Sequence, residues 1–269
     1  MTGYYRIVCL TDETTETIYL LGRQDRIVGI SGYTVRPPEA RLEKPKVSAF
    51  TSAKIEKILE LQPDLVLGFS DLQASIASDL VGSGLEVHIF NQRSIAGILA
   101  MIETVGGFVD AADAAKTLTA QYRGRLEAVQ ASTTNLPRAP IIYFEEWGDP
   151  IISAIAWVSE LIALAGGKDC FAELAEGRRA KARIIADASE MIRRAPDIII
   201  GSWCGRRFPI DQVKARPGWE TIPAVRNNHV YEIRSSDILQ PGPAALTSGL
   251  DQLCSIIDRW SASFDELRN

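Results

Sequence analysis

Short apolar runs recur along the chain, separated by stretches in which apolar residues stand three and four apart. The runs at 6–10, 26–30, 65–69, 87–90, 141–144, 198–201 and 230–233 read as buried strands. The intervening stretches, among them 15–21, 52–61 and 157–165, read as helices with one apolar face. Strands alternating with helices predict an α/β fold with mainly parallel sheets.

The pattern repeats. Glu16-Thr-Ile-Tyr-Leu-Leu-Gly22 with Asp25 matches Glu160-Leu-Ile-Ala-Leu-Ala-Gly166 with Asp169. Pro63-Asp64-Leu65-Val66 matches Pro196-Asp197-Ile198-Ile199, and the run 7–10 matches 141–144. Three matches in one order, each offset by near half the chain, predict two lobes of one topology, at 1–109 and 133–269. Between them, 110–132 is rich in helix formers, with an apolar stripe at Leu118, Tyr122, Leu126 and Val129. It predicts one connecting helix of about 35 Å. A rigid link of that kind predicts limited opening of the lobes.

Composition narrows the function. The 269 residues carry a formal net charge of −5, which disfavours general nucleic-acid binding. No apolar run approaches the roughly 18 residues of a transmembrane helix, so the chain is not expected to span a membrane. Cys9, Cys170, Cys204 and Cys254 stand far apart without a CxxC pair, so neither a zinc set nor a disulfide framework is expected. His88 and His229 are the only histidines, which excludes a multi-histidine metal site. The opening residues lack the basic, apolar and small-residue segments of a secretory signal. The expected location is periplasmic or cell-surface if Met1 marks a truncation, and cytoplasmic otherwise.

Catalytic signatures are missing. Gly82-Ser-Gly84 lacks the third glycine of GxGxxG, and no GxxxxGK[ST], GxSxG or HExxH occurs. No catalytic residue is assigned, and the chain reads as non-enzymatic. What remains is a series of aromatic and polar residues placed after strand ends, where open α/β sheets bind ligands. Tyr33 and Arg36 follow the second run, Phe50 precedes a helix, and Phe69 ends a strand. Glu145-Glu146-Trp147 and Trp203 with Arg206-Arg207 follow strands of the second half, and Gln240 follows the last. Aromatics at such mouths suit a large, flat, partly apolar ligand. Arg36, Arg206 and Arg207 suit its anionic or amide groups.

The opening Arg6-Ile-Val-Cys-Leu-Thr-Asp-Glu-Thr-Thr-Glu16-Thr-Ile-Tyr-Leu-Leu-Gly22 resembles the helical-backbone (class III) substrate-binding proteins of ABC importers. Arg26-Ile-Val-Gly-Ile-Ser-Gly-Tyr33, Pro37-Pro38-Glu39-Ala40 and Lys54-Ile-Glu56 through Pro63-Asp64 resemble its cobalamin-binding branch. Arg216-Pro217-Gly218-Trp219, Asn228-His229-Val230-Tyr231 and Pro241-Gly242-Pro243 fit the same family. The resemblance implies two Rossmann-like lobes joined by one long α-helix. It implies capture of a cobalamin-like corrinoid between the lobes, with no catalytic cofactor, and delivery to an ABC permease. By position it implies ligand roles for Tyr33, Phe50, Phe69, Trp147 and Trp203, and the strand-end residues Arg36, Glu145, Arg206 and Gln240 complete the expected ligand set. Glu56 and Glu190 take the places of the glutamates that dock each lobe on the permease. The chain is read as a monomer. Arg36 stands where an aromatic is usual, and Ala244 where arginine is frequent. Two alternatives therefore stay open: a ferric siderophore or haem in the same architecture, or a cytoplasmic cofactor-handling or assembly protein on a similar scaffold.

Overall fold

Ile7, Val8 and Cys9 are all fully buried, as a strand covered on both faces must be. They form β1 (Ile7–Cys9) of the computed structural model, which describes residues 3–266. Met1 and Thr2, on which the expectation about location turns, lie outside the described residues. Around β1 stand β2 (Ile27–Ser31), β3 (Lys46–Ser48), β4 (Leu65–Phe69) and β5 (Val87–Phe90). All five run parallel in the order β3-β2-β1-β4-β5. Val8, Leu10, Val47, Ile58, Val66, Ile76 and Leu80 pack as one core of this unit.

The second sheet contains β6 (Ile141–Gly148), β7 (Ile151–Ser153), β8 (Lys168–Asp169), β9 (Ile198–Gly201) and β10 (Val230–Glu232). Its order is β10-β9-β6-β7, with β8 also on β6; only β6–β7 is antiparallel. Its core gathers Tyr143, Phe171, Ile199, Phe208, Trp219 and Ile222. The chain thus falls into two units. The first runs to Gln92 and takes in Ala96–Gln121 and Pro241–Pro243; the second holds Arg93–Ile95, Tyr122–Gln240 and the residues from Ala244. The helix Ala112–Ser132 contributes to both, changing unit after Gln121. No helix of the described residues is long and apolar enough to cross a membrane.

The repeated motifs do the same work in each sheet. Gly22 and Gly166 both take positive φ, at 67° and 83°. Each ends a helix with the same pair of bonds, Gly22 N to Tyr19 O and Arg23 N to Ile18 O in one case, Gly166 N to Ala163 O and Gly167 N to Ile162 O in the other. Gln62 and Ala195, before the two prolines, are both left-handed, with φ of 46° and 44°. Asp64 then accepts the amide hydrogens of Tyr5 and Arg6 at 2.7 and 2.9 Å, fastening the start of β1. Asp197 accepts that of Ile141 at 2.8 Å, fastening the start of β6.

The two aspartates differ in setting. Asp64 is exposed, whereas Asp197 is buried and also holds Arg138 through two bonds of 2.7 and 2.6 Å. Hydrogen bonds to charged groups contribute about 1.5–3 kcal/mol, the upper part when buried. Asp197→Ala is expected to lose about 2–3 kcal/mol and Asp64→Ala about 1 kcal/mol. Urea denaturation of both variants checks this; equal losses would remove burial as the deciding factor.

Three strands lie outside the sequence pattern. β3 offers a single apolar residue, β8 only two residues, and β7 only three. A correction concerns β6. It runs through Gly148 rather than ending at Phe144, so Glu145, Glu146 and Trp147 lie inside the strand and not after it. The two-residue turn Asp149-Pro150 brings Ile151 opposite Gly148, and the hairpin with β7 carries the strand onward.

Candidate functional site

Tyr143 and Glu145 alternate onto one face of β6, and the pairing with β7 then slips register between Glu145 and Trp147, a bulge at which regular alternation stops. Glu145 has no exposed surface. Arg216 donates to both of its oxygens, Nη1 to Oε2 at 2.5 Å and Nη2 to Oε1 at 2.9 Å. The Tyr143 hydroxyl donates to Oε2 at 2.8 Å, and Trp203 Nε1 donates to Oε1 at 3.2 Å. Burial, joined by the Glu145 charge, pushes the Tyr143 phenol well above its ordinary value, so it stays a donor. Burial works against the Arg216 charge, but its bonds to Glu145 outweigh it and hold the guanidinium protonated. The same guanidinium lies 4.6 Å from the centre of the Trp219 ring.

Two glycines make room for this cluster. A Cβ at Gly148 would come within 2.3 Å of the Trp203 ring, and one at Gly201 within 2.0 Å of Phe208. Trp203 meets the edge of Phe208 at 6.0 Å. Its indole lies 5.3 Å from that of Trp147, tilted by 37°. The exposed Arg206 sets its guanidinium 5.5 Å from the Trp147 centroid. Trp147 anchors its own N–H on the Asp149 carbonyl at 2.9 Å. Trp147 and Trp203 are each half-buried. Together with Arg206 they form a partly exposed aromatic face with a cation at its edge, able to meet a flat conjugated surface. At the bulge, Glu146 is taken up by the buried Arg183 at 2.6 and 2.9 Å.

In the first unit, Tyr33 is 65% exposed. Arg36 donates to Glu16 at 2.9 Å. The loop between them is fastened by Asp12, which accepts from Val35 N at 3.0 Å, and by Arg41, which donates to Gly32 O and Thr34 O. Phe50 is half-buried, and Phe69 is buried at the end of β4. The wholly buried Gln73 ties both to β1. It accepts from Phe69 N at 2.9 Å and donates to Phe50 O at 2.9 Å and Leu10 O at 3.4 Å. Burial raises the carboxyls of Asp12 and Glu13, in the first turn of the helix Asp12–Leu20, to about 7 each.

Other expected residues lie elsewhere. Gln240 is half-buried, at the point where the chain leaves the second unit for Pro241. Glu56 is exposed on the helix Ile55–Glu60. Glu190 bonds Arg193 and Arg194 within its own helix, Ser189–Arg194. His88 packs on Phe90 and Phe108, with ring centroids 4.3 and 5.1 Å away, and His229 bonds the Tyr231 hydroxyl at 3.0 Å. Three participants escape sequence reasoning about sites: Gln73, Arg183 and Arg216. Arg216 stood in the quoted Arg-Pro-Gly-Trp motif, and the positive φ of Gly218 is the one local sign that the turn is built to deliver it.

The second unit thus presents a partly exposed aromatic face backed by a buried ion pair. The family described as periplasmic binding protein matches residues 7–236, and the chain belongs to it. The vitamin B12-binding protein of Vibrio campbellii is 25% identical over 254 residues, covering 93% of this chain and 88% of that one. The crystal structure of the periplasmic vitamin B12 binding protein BtuF of Vibrio cholerae superposes with a TM-score of 0.77 at 22% identity, covering 96% and 98%. The periplasmic heme-binding protein RhuT from Roseiflexus does so with a TM-score of 0.78 at 22% identity, covering 95% and 100%.

Proposed function

We propose that this chain is the extracytoplasmic substrate-binding component of an ABC importer and that its cargo is a cobalamin-like corrinoid. The observation that carries this reading is the tilted Trp147–Trp203 pair with Arg206 at its edge. A corrin presents a broad, partly apolar rim fringed with amides. Indole faces cover the rim, and a guanidinium donates to amide oxygens. On this reading the first unit contributes the exposed Tyr33 together with Arg36, Phe50 and Phe69. The second unit adds Gln240 to the proposed ligand set. The relative named for vitamin B12 supports the choice of cargo. Capture between the two lobes and docking on the permease through Glu56 and Glu190 complete the proposal, with the chain acting as a monomer and doing no covalent chemistry.

The test is titration with cyanocobalamin, read by tryptophan fluorescence and by calorimetry. One-to-one saturation below about micromolar, roughly −8 kcal/mol, is the expected result. Trp203→Ala is expected to weaken binding by about tenfold or more. Trp260→Ala is not, because Trp260 is a core residue at 2% exposure under the Arg138 guanidinium. Equal affinity of wild type and Trp203→Ala would take Trp203 out of the site.

One observation favours a second reading, haem. The likeness to a heme-binding protein is as close in fold as that to the B12 binder, and two indoles accept any flat macrocycle. Titration with hemin in parallel separates the two. Saturation by hemin with no response to cyanocobalamin would overturn the corrinoid assignment and leave the importer reading in place.

A further inference from the structure

We infer that Glu145 and Arg216 are positioning residues, a buried ion pair that sets the orientation of the Trp203 indole and so fixes the aromatic face of the second unit. The inference deepens the proposed function and rests on it, because the orientation matters only to a ligand that meets that face.

Burying a carboxylate is costly, and an apolar pair of similar volume serves packing as well or better. The surroundings are apolar: Tyr143, Ile199, Phe208 and Trp219 belong to the same core cluster. A charged pair retained there does something that packing alone does not. An ionised carboxylate offers about four acceptor sites. Arg216 fills two of them in the fork geometry that fixes the plane of the carboxylate. Tyr143 fills a third. The remaining direction points at Trp203 Nε1, which donates along it.

The other edges of the indole are blocked. Its benzo ring lies so close to Gly148 that no Cβ fits between them, and Phe208 stands edge-on to it. An indole with one acceptor and two walls has one orientation, and that orientation places it 5.3 Å from Trp147. With every acceptor site taken and no surface exposed, Glu145 has nothing left to offer a ligand. Its place in the site is behind the aromatic face rather than on it. Arg216 reaches it from the turn after the helix Ile210–Lys214, so the turn at Pro217-Gly218 serves the aromatic face from a distance.

The experiment uses the full chain without ligand and reads the near-ultraviolet circular dichroism of the coupled indoles. Trp203→Phe defines how much of the band belongs to the pair. Glu145→Met/Arg216→Met removes both charges together, leaving no orphan charge, and deprives the Trp203 N–H and the Tyr143 hydroxyl of their acceptor. It is expected to keep the far-ultraviolet spectrum and lose most of the band that Trp203→Phe removes. Glu145→Gln/Arg216→Met returns an amide oxygen to the same place and is expected to restore the band. Arg216→Lys keeps the charge but not the fork, and a partial loss is expected. It decides the matter alone should the double methionine variant fail to fold. An unchanged band in Glu145→Met/Arg216→Met, or in Arg216→Lys, overturns the inference. So does failure of the glutamine variant to restore what the methionine variant lost.

Cyanocobalamin affinity should follow the band, falling about tenfold in the methionine variant. If the wild type binds no cyanocobalamin, the corrinoid reading fails while the dichroism still judges the ion pair.

Discussion

Replacing Arg183 by methionine is expected to destabilise the protein by about 3–5 kcal/mol. Arg183 is 1% exposed and gives Glu146 two bonds, at 2.6 and 2.9 Å, with a third to the Ser153 carbonyl at 2.6 Å. The substitution leaves a carboxylate that is only 20% exposed without its counter-charge, and a buried carbonyl without its donor. At roughly 2–4 °C per kcal/mol for a chain of this size, the midpoint should fall by about 10 °C. Glu146→Met/Arg183→Met removes the charges together and should recover most of the loss, since a buried pair exchanged for apolar residues is often neutral. The damage should be local first. Arg183 closes a stretch with little regular structure, the short helices Ala172–Ala175 and Ala180–Arg183, pinned to the sheet by the Ile152–Ile184 bridge. Trypsin should therefore cut at the exposed Arg178, Arg179 and Lys181 sooner in Arg183→Met than in wild type. A loss below about 1 kcal/mol with unchanged proteolysis would show that solvent, not Arg183, satisfies Glu146.

The contrast between Arg183 and Trp203 shows what a sequence can disclose. The repeat was legible because its elements are local. A glycine after a helix and an aspartate after a proline each act within a few residues of themselves, and both copies keep the same geometry. The long helix was legible from its composition, to within two residues of its observed start at Ala112. Trp147, Trp203 and Arg206 were legible as a group because chain topology alone brings strand ends together, and the structure does gather these three. The network behind them was not. Arg216 lies 71 residues from Glu145, and Arg183 lies 37 from Glu146. Nothing in the spacing of one residue announces the other. The paired glutamates invited a single reading as a strand-end feature, whereas the strand continues through a bulge and gives each its own arginine. The first turn of the helix Asp12–Leu20 lies ahead of the 15–21 pattern and was not legible at all. A helix N-terminus favours carboxylates at its surface, but here Asp12, Glu13 and Glu16 are all buried.

That burial has a consequence in solution: the protein should be more stable at about pH 5 than at about pH 8. Burial raises Asp12 from 3.8 to about 7, against the opposing pull of the Val35 amide hydrogen bond and the Arg36 charge. Burial likewise raises Glu13 from 4.5 to about 7, with Asp12 and Glu16 adding to the rise. In the unfolded chain both groups titrate near 4, so between about pH 4 and pH 7 the folded protein binds the extra protons. Stability is then highest below the unfolded values, falls as pH rises through the folded ones, and levels off above them. Part of the Glu13 rise comes from the Asp12 charge, and Glu16 raises both, so the two shifts do not add in full. At about 1.4 kcal/mol per unit, the pair should account for roughly 2–4 kcal/mol across this window. Two lowered carboxyls oppose it at the acid end, Glu173 through its bond to Arg194 and Asp187 through Ser189, and His88 and His229, both lowered by burial, oppose it within the window. Asp12→Asn and Glu13→Gln remove the charge and keep the shape. Each should raise the midpoint at about pH 8, and the double variant should flatten the slope toward about pH 5. Glu13 is the stronger case. One of its oxygens is buried without a hydrogen-bond partner, and a Cβ added at Gly242 would come within 2.4 Å of its own Cβ, so the segment Pro241–Pro243 closes over it in the first unit. Midpoints of wild type that rise between about pH 5 and pH 8, or variants that keep the wild-type slope, would place the charge of these residues in water rather than in the protein interior.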